Sequence, residues 1–148
     1  MVLLIINPKH PNTNMTKNEI LIETVRFYSE DTARRATIAL GGCTYRVPPT
    51  NTMPERCCAV GRCMTPEALN KYGSHSGFVN ILVNAKEGGD VDNILRPEYH
   101  GHDIKFWYDL QVLHDTPHYW SNKYELANFI ESRFGENALE AVRDAGLL

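Results

Sequence analysis

Between Met15 and Ala145 the chain is punctuated so often by proline, glycine and helix-capping residues that it can build only short elements, and a single pair of segments alternates as strands do. Thr16-Lys17-Asn18-Glu19 has the form of a capping box, in which the Thr16 hydroxyl accepts from a backbone N–H and the Glu19 carboxylate reaches back. Leu21, Val25 and Tyr28 follow at helical spacing, with Ile20 and Ile22 widening the stripe. Met15, where this helix opens, also reads as an alternative start. Asp31 is placed to cap a second helix, Thr32–Leu40, stopped by Gly41-Gly42. Thr65-Pro66-Glu67 joins an N-cap to a proline at the first helical position, and Gly73 ends that helix. Gly88-Gly89-Asp90 caps a short helix through Leu95. Asp103–His114 carries Phe106, Leu110 and Leu113 on one stripe, beside Trp107 and Ile104. Ser121 caps a helix that turns Leu126, Ala127, Ile130 and Phe134 inward and stops at Gly135; Asn137–Ala145 forms a last helix.

The strand signal lies in Cys43-Thr44-Tyr45-Arg46-Val47, which alternates, and in Arg56–Val60, which returns after the loop Pro48–Glu55. Side chains two apart on a strand share a face, so Cys43, Tyr45 and Val47 belong together. Val2–Ile6 reads as a short buried strand followed by a loop, and Phe78–Ala85 suits strand and helix equally. The expectation is an α+β fold: several short helices packed on a small antiparallel hairpin sheet, extended by Val2–Ile6 or by Phe78–Val83. Residues 1–14 form an N-terminal strand and loop extension, and 15–148 one domain. A chain of 148 residues buries roughly 68–70% of its unfolded surface, so a core needs neither disulfide nor metal.

The net charge of −3 argues against general nucleic-acid binding, which needs a basic surface to displace counterions. A membrane-spanning helix needs about 20 apolar residues, and Asn7-Pro8-Lys9 stops the longest N-terminal apolar run far short of that. The same run is too short for a secretion signal, so a cytoplasmic location is expected. Cys43, Cys57, Cys58 and Cys63 are then expected to be reduced thiols. They contain no C-x-x-C pair, and the His100-Gly101-His102-Asp103 string lacks evident further ligands, so no metal and no cofactor is expected. His102 and Asp103 read better as the cap of the following helix.

Two groups of residues remain as candidates for function. In the run Arg56-Cys57-Cys58-Ala59-Val60-Gly61-Arg62-Cys63-Met64, Cys58 or Cys57 could be a nucleophile, since a returning strand meets a helix there, a place where backbone N–H groups converge and arginines favour a thiolate. His114 as base and Asp115 as orienter would complete a cysteine-dependent hydrolase or transferase, although adjacent helical residues do not readily face each other. The alternative is that the cysteines are small buried apolar residues. The second group is basic: Arg34, Arg35, Arg46, Arg56 and Arg62 cluster around the hairpin and could bind a phosphate or nucleotide, or could simply be a solvated face with Arg62 paired to Glu67. Tyr45 and Trp120 are further candidates for that ligand surface, Trp120 through the exposed pair Tyr119-Trp120.

The order Arg34-Arg35-Ala36, Cys43-x-Tyr45, Cys58-Ala59-Val60-Gly61-Arg62, Leu110-Gln111-x-Leu113-His114-Asp115 and Trp120 resembles a group of uncharacterised small proteins encoded by tailed phages and prophages. The resemblance runs from Met15 to about Phe134, with Cys57 and the N-terminal segment as departures from it. It implies a setting, an accessory protein inside a bacterial host that modulates host machinery or blunts host defence, and it implies no reaction. The primary expectation is a non-catalytic protein that binds a host protein or a small anionic ligand such as a nucleotide.

Overall fold

The computed structural model describes residues 14–37 and 43–148; the expected strand Val2–Ile6 and the end of the expected helix Thr32–Leu40 lie outside them. Helix α1 (Lys17–Glu30) begins on the capping box read from sequence: Glu19 N–H donates to Thr16 Oγ1 at 3.1 Å, and Thr16 N–H to Glu19 Oε1 at 2.8 Å. Asp31 does act as a cap, but the element it starts is one 3-10 turn, Thr32–Arg34, where a full helix was expected. Arg35 has already turned to extended backbone, and Thr37 bridges to Cys43 across the intervening residues.

The sheet is the hairpin alone, and it is short. Strand β1 (Arg46–Val47) pairs antiparallel with β2 (Arg56–Cys57), with Arg46 opposite Cys57. The alternation holds at Tyr45, which is buried while its neighbours are half-buried. Beyond β2 the chain does not continue as a strand to Val60; it tightens into a 3-10 turn at Gly61–Cys63, which places Cys58, Ala59, Val60, Cys63 and Met64 in the core. Helix α2 (Pro66–Tyr72) then starts on Thr65, whose hydroxyl accepts from Ala68 N–H.

Phe78–Val83 is not a strand. Helix α3 spans Val79–Lys86, buries Val79, Leu82 and Val83, and leaves Ile81 62% exposed, the pattern of one helical face. Its first N–H, on Val79, finds an acceptor in Gln111 Oε1 at 2.8 Å. Helix α4 (Ile104–Asp115) supplies the fully buried Trp107, Leu110 and Leu113. Helix α5 (Lys123–Phe134) is capped by Asn122, one residue after the Ser121 expected in that role, because the Asn122 side chain reaches both Tyr124 and Glu125 N–H. Gly135 joins α5 directly to α6 (Glu136–Asp144), with φ 102° and ψ 167°, a conformation essentially reserved to glycine. Helix α6 packs on α5 and α1, and α3 packs on α4, closing helices around the apolar side of the hairpin. Each large side chain enclosed in this way contributes roughly 1.5–3 kcal/mol relative to exposure. Among the described residues no helix is long and apolar enough to cross a membrane.

Candidate functional site

The turn after β2 is built around Gly61. Cys58 N–H donates to Tyr45 O at 3.1 Å, and that carbonyl lies so close to Gly61 that a Cβ there would stand 2.0 Å from it. Gly61 N–H in turn donates to Cys58 Sγ at 3.2 Å. Cys58 is thereby enclosed: its thiol is pushed well up by burial, with the Gly61 hydrogen bond opposing and the Asp115 charge adding. Among the described residues no hydrogen bond links Cys58 to His114.

His114 and Asp115 do pair, contrary to the expectation for helical neighbours. Nδ1 lies 2.7 Å from Asp115 Oδ1. The pairing is open to them because α4 ends at Asp115 and Thr116 is extended, so no further turn holds the carboxylate away from the ring. The other ring nitrogen, Nε2, accepts from Ala36 N–H at 3.2 Å. An acceptor Nε2 in a neutral ring puts the proton on Nδ1, which therefore donates to Asp115. Burial lowers the His114 pKa, with Asp115 opposing, which keeps the ring neutral. Cys43 sits beside this pair, and its thiol is pushed up to about 11, first by burial and then by Asp115, with Arg35 opposing. Ligand atoms of Cys43, His114 and Asp115 fall within 4.8 Å of one another, a spacing that could bracket a cation. The tautomer withholds both imidazole lone pairs from that space and from any thiol: one is engaged by Ala36, the other bears the proton.

Arg35 and Trp120 converge on the same place for a different reason. Arg35 Nε donates to His114 O at 2.7 Å, and Trp120 Nε1 to Leu113 O at 3.0 Å and His114 O at 3.2 Å. They cap the last carbonyls of α4, where a cation and a donor are both favourable. Trp120 lies in a 3-10 turn, partly buried against Tyr28, rather than in an exposed loop. Tyr45 is in the core, with its hydroxyl donating to Gly77 O at 2.8 Å.

The remaining arginines assemble elsewhere. Arg34, Arg56 and Arg62 line one cleft of about 340 Å³, together with Arg96, which sequence reasoning did not single out. Arg96 arrives because Met64 bridges to Leu95 and Arg96 N–H donates to Cys63 O at 2.9 Å, an approach between distant segments that no local pattern announces. Three of the four arginines have carboxylates: Arg34 with Glu30 at 3.0 Å, Arg62 with Glu23 at 2.7 Å, and Arg96 with Glu98 at 3.7 Å. Arg62 pairs with Glu23 of α1, not with Glu67, and Glu23 also accepts from Tyr99 Oη at 2.7 Å. Arg56 donates to Thr37 O at 3.3 Å and has no carboxylate within ion-pair reach among the described residues. Nε of Arg56, Arg62 and Arg96 are each buried without a hydrogen-bond acceptor. Glu55, the one acidic lining residue, is held by Arg46 of the opposite strand. Cys57 also lines the cleft, its thiol pushed up to about 11 by burial and then by Glu55.

A second depression, beside α4 and α5, is also charged, and each of its cations is ion-paired: Lys17 pairs with Asp103, and Lys105 and Arg133 share the buried Asp109. Comparison of the chain with protein-family models, with curated proteins and with solved structures gives no match.

Proposed function

We propose that this chain is a binding protein that takes a small anionic ligand in the arginine cleft, as an accessory protein of phage type acting inside a bacterial host to modulate host machinery or blunt host defence. The observation that carries the ligand class is the convergence of Arg34, Arg56, Arg62 and Arg96 on one cleft in which Arg56 has no carboxylate partner among the described residues. Guanidinium groups favour carboxylate and phosphate oxygens through paired N–H donors. The cleft is also within the usual size of small-molecule sites, roughly 300–1,000 Å³. The phage setting is supported by the sequence resemblance alone.

The test is calorimetric titration of the purified chain with inorganic phosphate at low ionic strength, repeated on Arg56→Ala. Saturable heat in the native chain and its loss in the variant are the expected results. Equal heats in both, or none in either, would remove the proposal.

A further inference from the structure

Resting on the anion-binding reading of the arginine cleft, we infer that its ligand is a nucleoside monophosphate, with the phosphate on the arginines and the base on the apolar lining residues. The cleft lining combines two chemical kinds of residue. One kind is the arginines; the other is Phe27, Met64, Pro66 and Leu69. A bare phosphate has no use for the second kind, and a cleft of about 340 Å³ holds far more than one phosphate. An anion carried on a flat, largely apolar body uses both. The stacking chemistry is already present in the cleft: Arg34 lies 4.5 Å from the Phe27 ring centroid and Arg62 lies 5.3 Å from it. A guanidinium that stacks on one aromatic face can also stack on a base.

Charge limits the number of phosphates. Arg34, Arg62 and Arg96 are already balanced by Glu30, Glu23 and Glu98, which leaves Arg56 as the uncompensated cation of the four. A phosphate monoester brings a charge of about −1.5 to −2 at pH 7, which already covers that one cation. A triphosphate would bring further charge with nothing left to balance it. Glu55, whose Oε2 is held by Arg46, adds a carboxylate to the lining, and its other oxygen is an acceptor suited to the exocyclic amine of adenine, guanine or cytosine.

The experiment is a calorimetric series on the full chain with inorganic phosphate, ribose 5-phosphate, adenosine, the common nucleoside monophosphates and a phosphotyrosine peptide. At least one amine-bearing nucleoside monophosphate is expected to bind tenfold or more tighter than inorganic phosphate, with ribose 5-phosphate close to phosphate and adenosine alone not detected. Arg56→Gln should remove binding of both phosphate and nucleotide. Leu69→Asn should lower the affinity for the nucleotide towards that for phosphate. Amide shifts on titration of the unmodified chain should centre on Gly61 and Leu69, which locates the site even where a variant folds poorly. Nucleotides no tighter than phosphate would overturn this inference and leave the anion-binding reading standing. Tighter binding of the phosphopeptide than of any nucleotide would also overturn it, in favour of a peptide ligand. Absence of binding by every anion would overturn both.

Discussion

Gly61→Ala is the sharpest test of how the cleft is built. Gly61 does not adopt a left-handed backbone conformation, so a glycine-to-alanine change there should on chain entropy alone stabilise the protein by about 0.4–1 kcal/mol. The opposite is expected. The added Cβ would stand 2.0 Å from Tyr45 O, about 1.4 Å inside ordinary van der Waals contact, and 2.8 Å from Tyr45 C. Both atoms are backbone, so no side-chain rotation relieves the clash. The turn must move away from Tyr45, and that stretches the bond from Cys58 N–H to Tyr45 O, now 3.1 Å. Overpacking costs about 1–3 kcal/mol and an orphaned buried carbonyl about 1–3 more, so a loss near 4 kcal/mol is expected. That is a large part of the roughly 5–15 kcal/mol a domain has in total. Urea titration followed by far-ultraviolet circular dichroism should show it as a lower midpoint at unchanged slope, and Tm should fall by about 8–16 °C. A variant as stable as the parent, or more stable, would refute the close approach of Tyr45 to the turn.

Gly135→Ala should also destabilise, by about 1–3 kcal/mol, for backbone reasons alone, since its φ is 102° and a Cβ there would meet nothing within 4 Å; equal Tm values for variant and parent would contradict it. For His114 the folded pKa lies below its ordinary value of 6.5, so the unfolded chain binds the extra proton first and stability falls as pH drops below 6.5, by up to about 1.4 kcal/mol per pH unit until the folded pKa is reached. His114→Gln should flatten that part of a stability–pH profile measured by urea titration, and an unchanged slope would count against a neutral buried ring. Because Cys43 and Cys57 are raised to about 11, their iodoacetamide alkylation at pH 8 should run roughly a hundredfold slower than that of a free thiol, with Cys58 and Cys63 labelled only on unfolding. Labelling of any of the four at the free-thiol rate, read by peptide mass spectrometry, would overturn those environments. Glu23→Gln removes the charge that Arg62 and Tyr99 share and should cost about 1–2 kcal/mol in the same urea assay, whereas no loss would mean the ion pair is not formed in solution.

Where structure is set within a few residues, the sequence was readable. Thr16 with Glu19, Thr65 with Pro66, and Asp90 each start the element they were expected to start, because a cap acts on the next two or three N–H groups and needs nothing from elsewhere. Phe78–Ala85 was not decidable in that way. Its apolar run suits either period, and the helix is anchored by Gln111, a residue 32 positions away. The candidate site divides along the same line. Arg34 and Arg35 are neighbours, yet successive residues of a tight turn point in different directions, so one lines the cleft and the other reaches the end of α4. Arg56 and Arg62 were legible as cleft candidates since hairpin and turn keep them close. Arg96 was not, because only the bridge between Met64 and Leu95 brings it there.

The bond from Ala36 N–H to His114 Nε2 joins residues 78 apart. On a ribosome adding about 5–20 residues per second, Ala36 waits about 4–16 s for its partner to be made. During that interval α1, the hairpin and the cysteine turn can be present while the helix that covers them is not. Tyr28, which lies against His114 and Trp120 in the finished protein, then has no lid. The nascent chain therefore presents its cysteines and aromatic core to the cell for seconds in every round of synthesis. Completion of α4 supplies the ring that Ala36 and Tyr28 lie against.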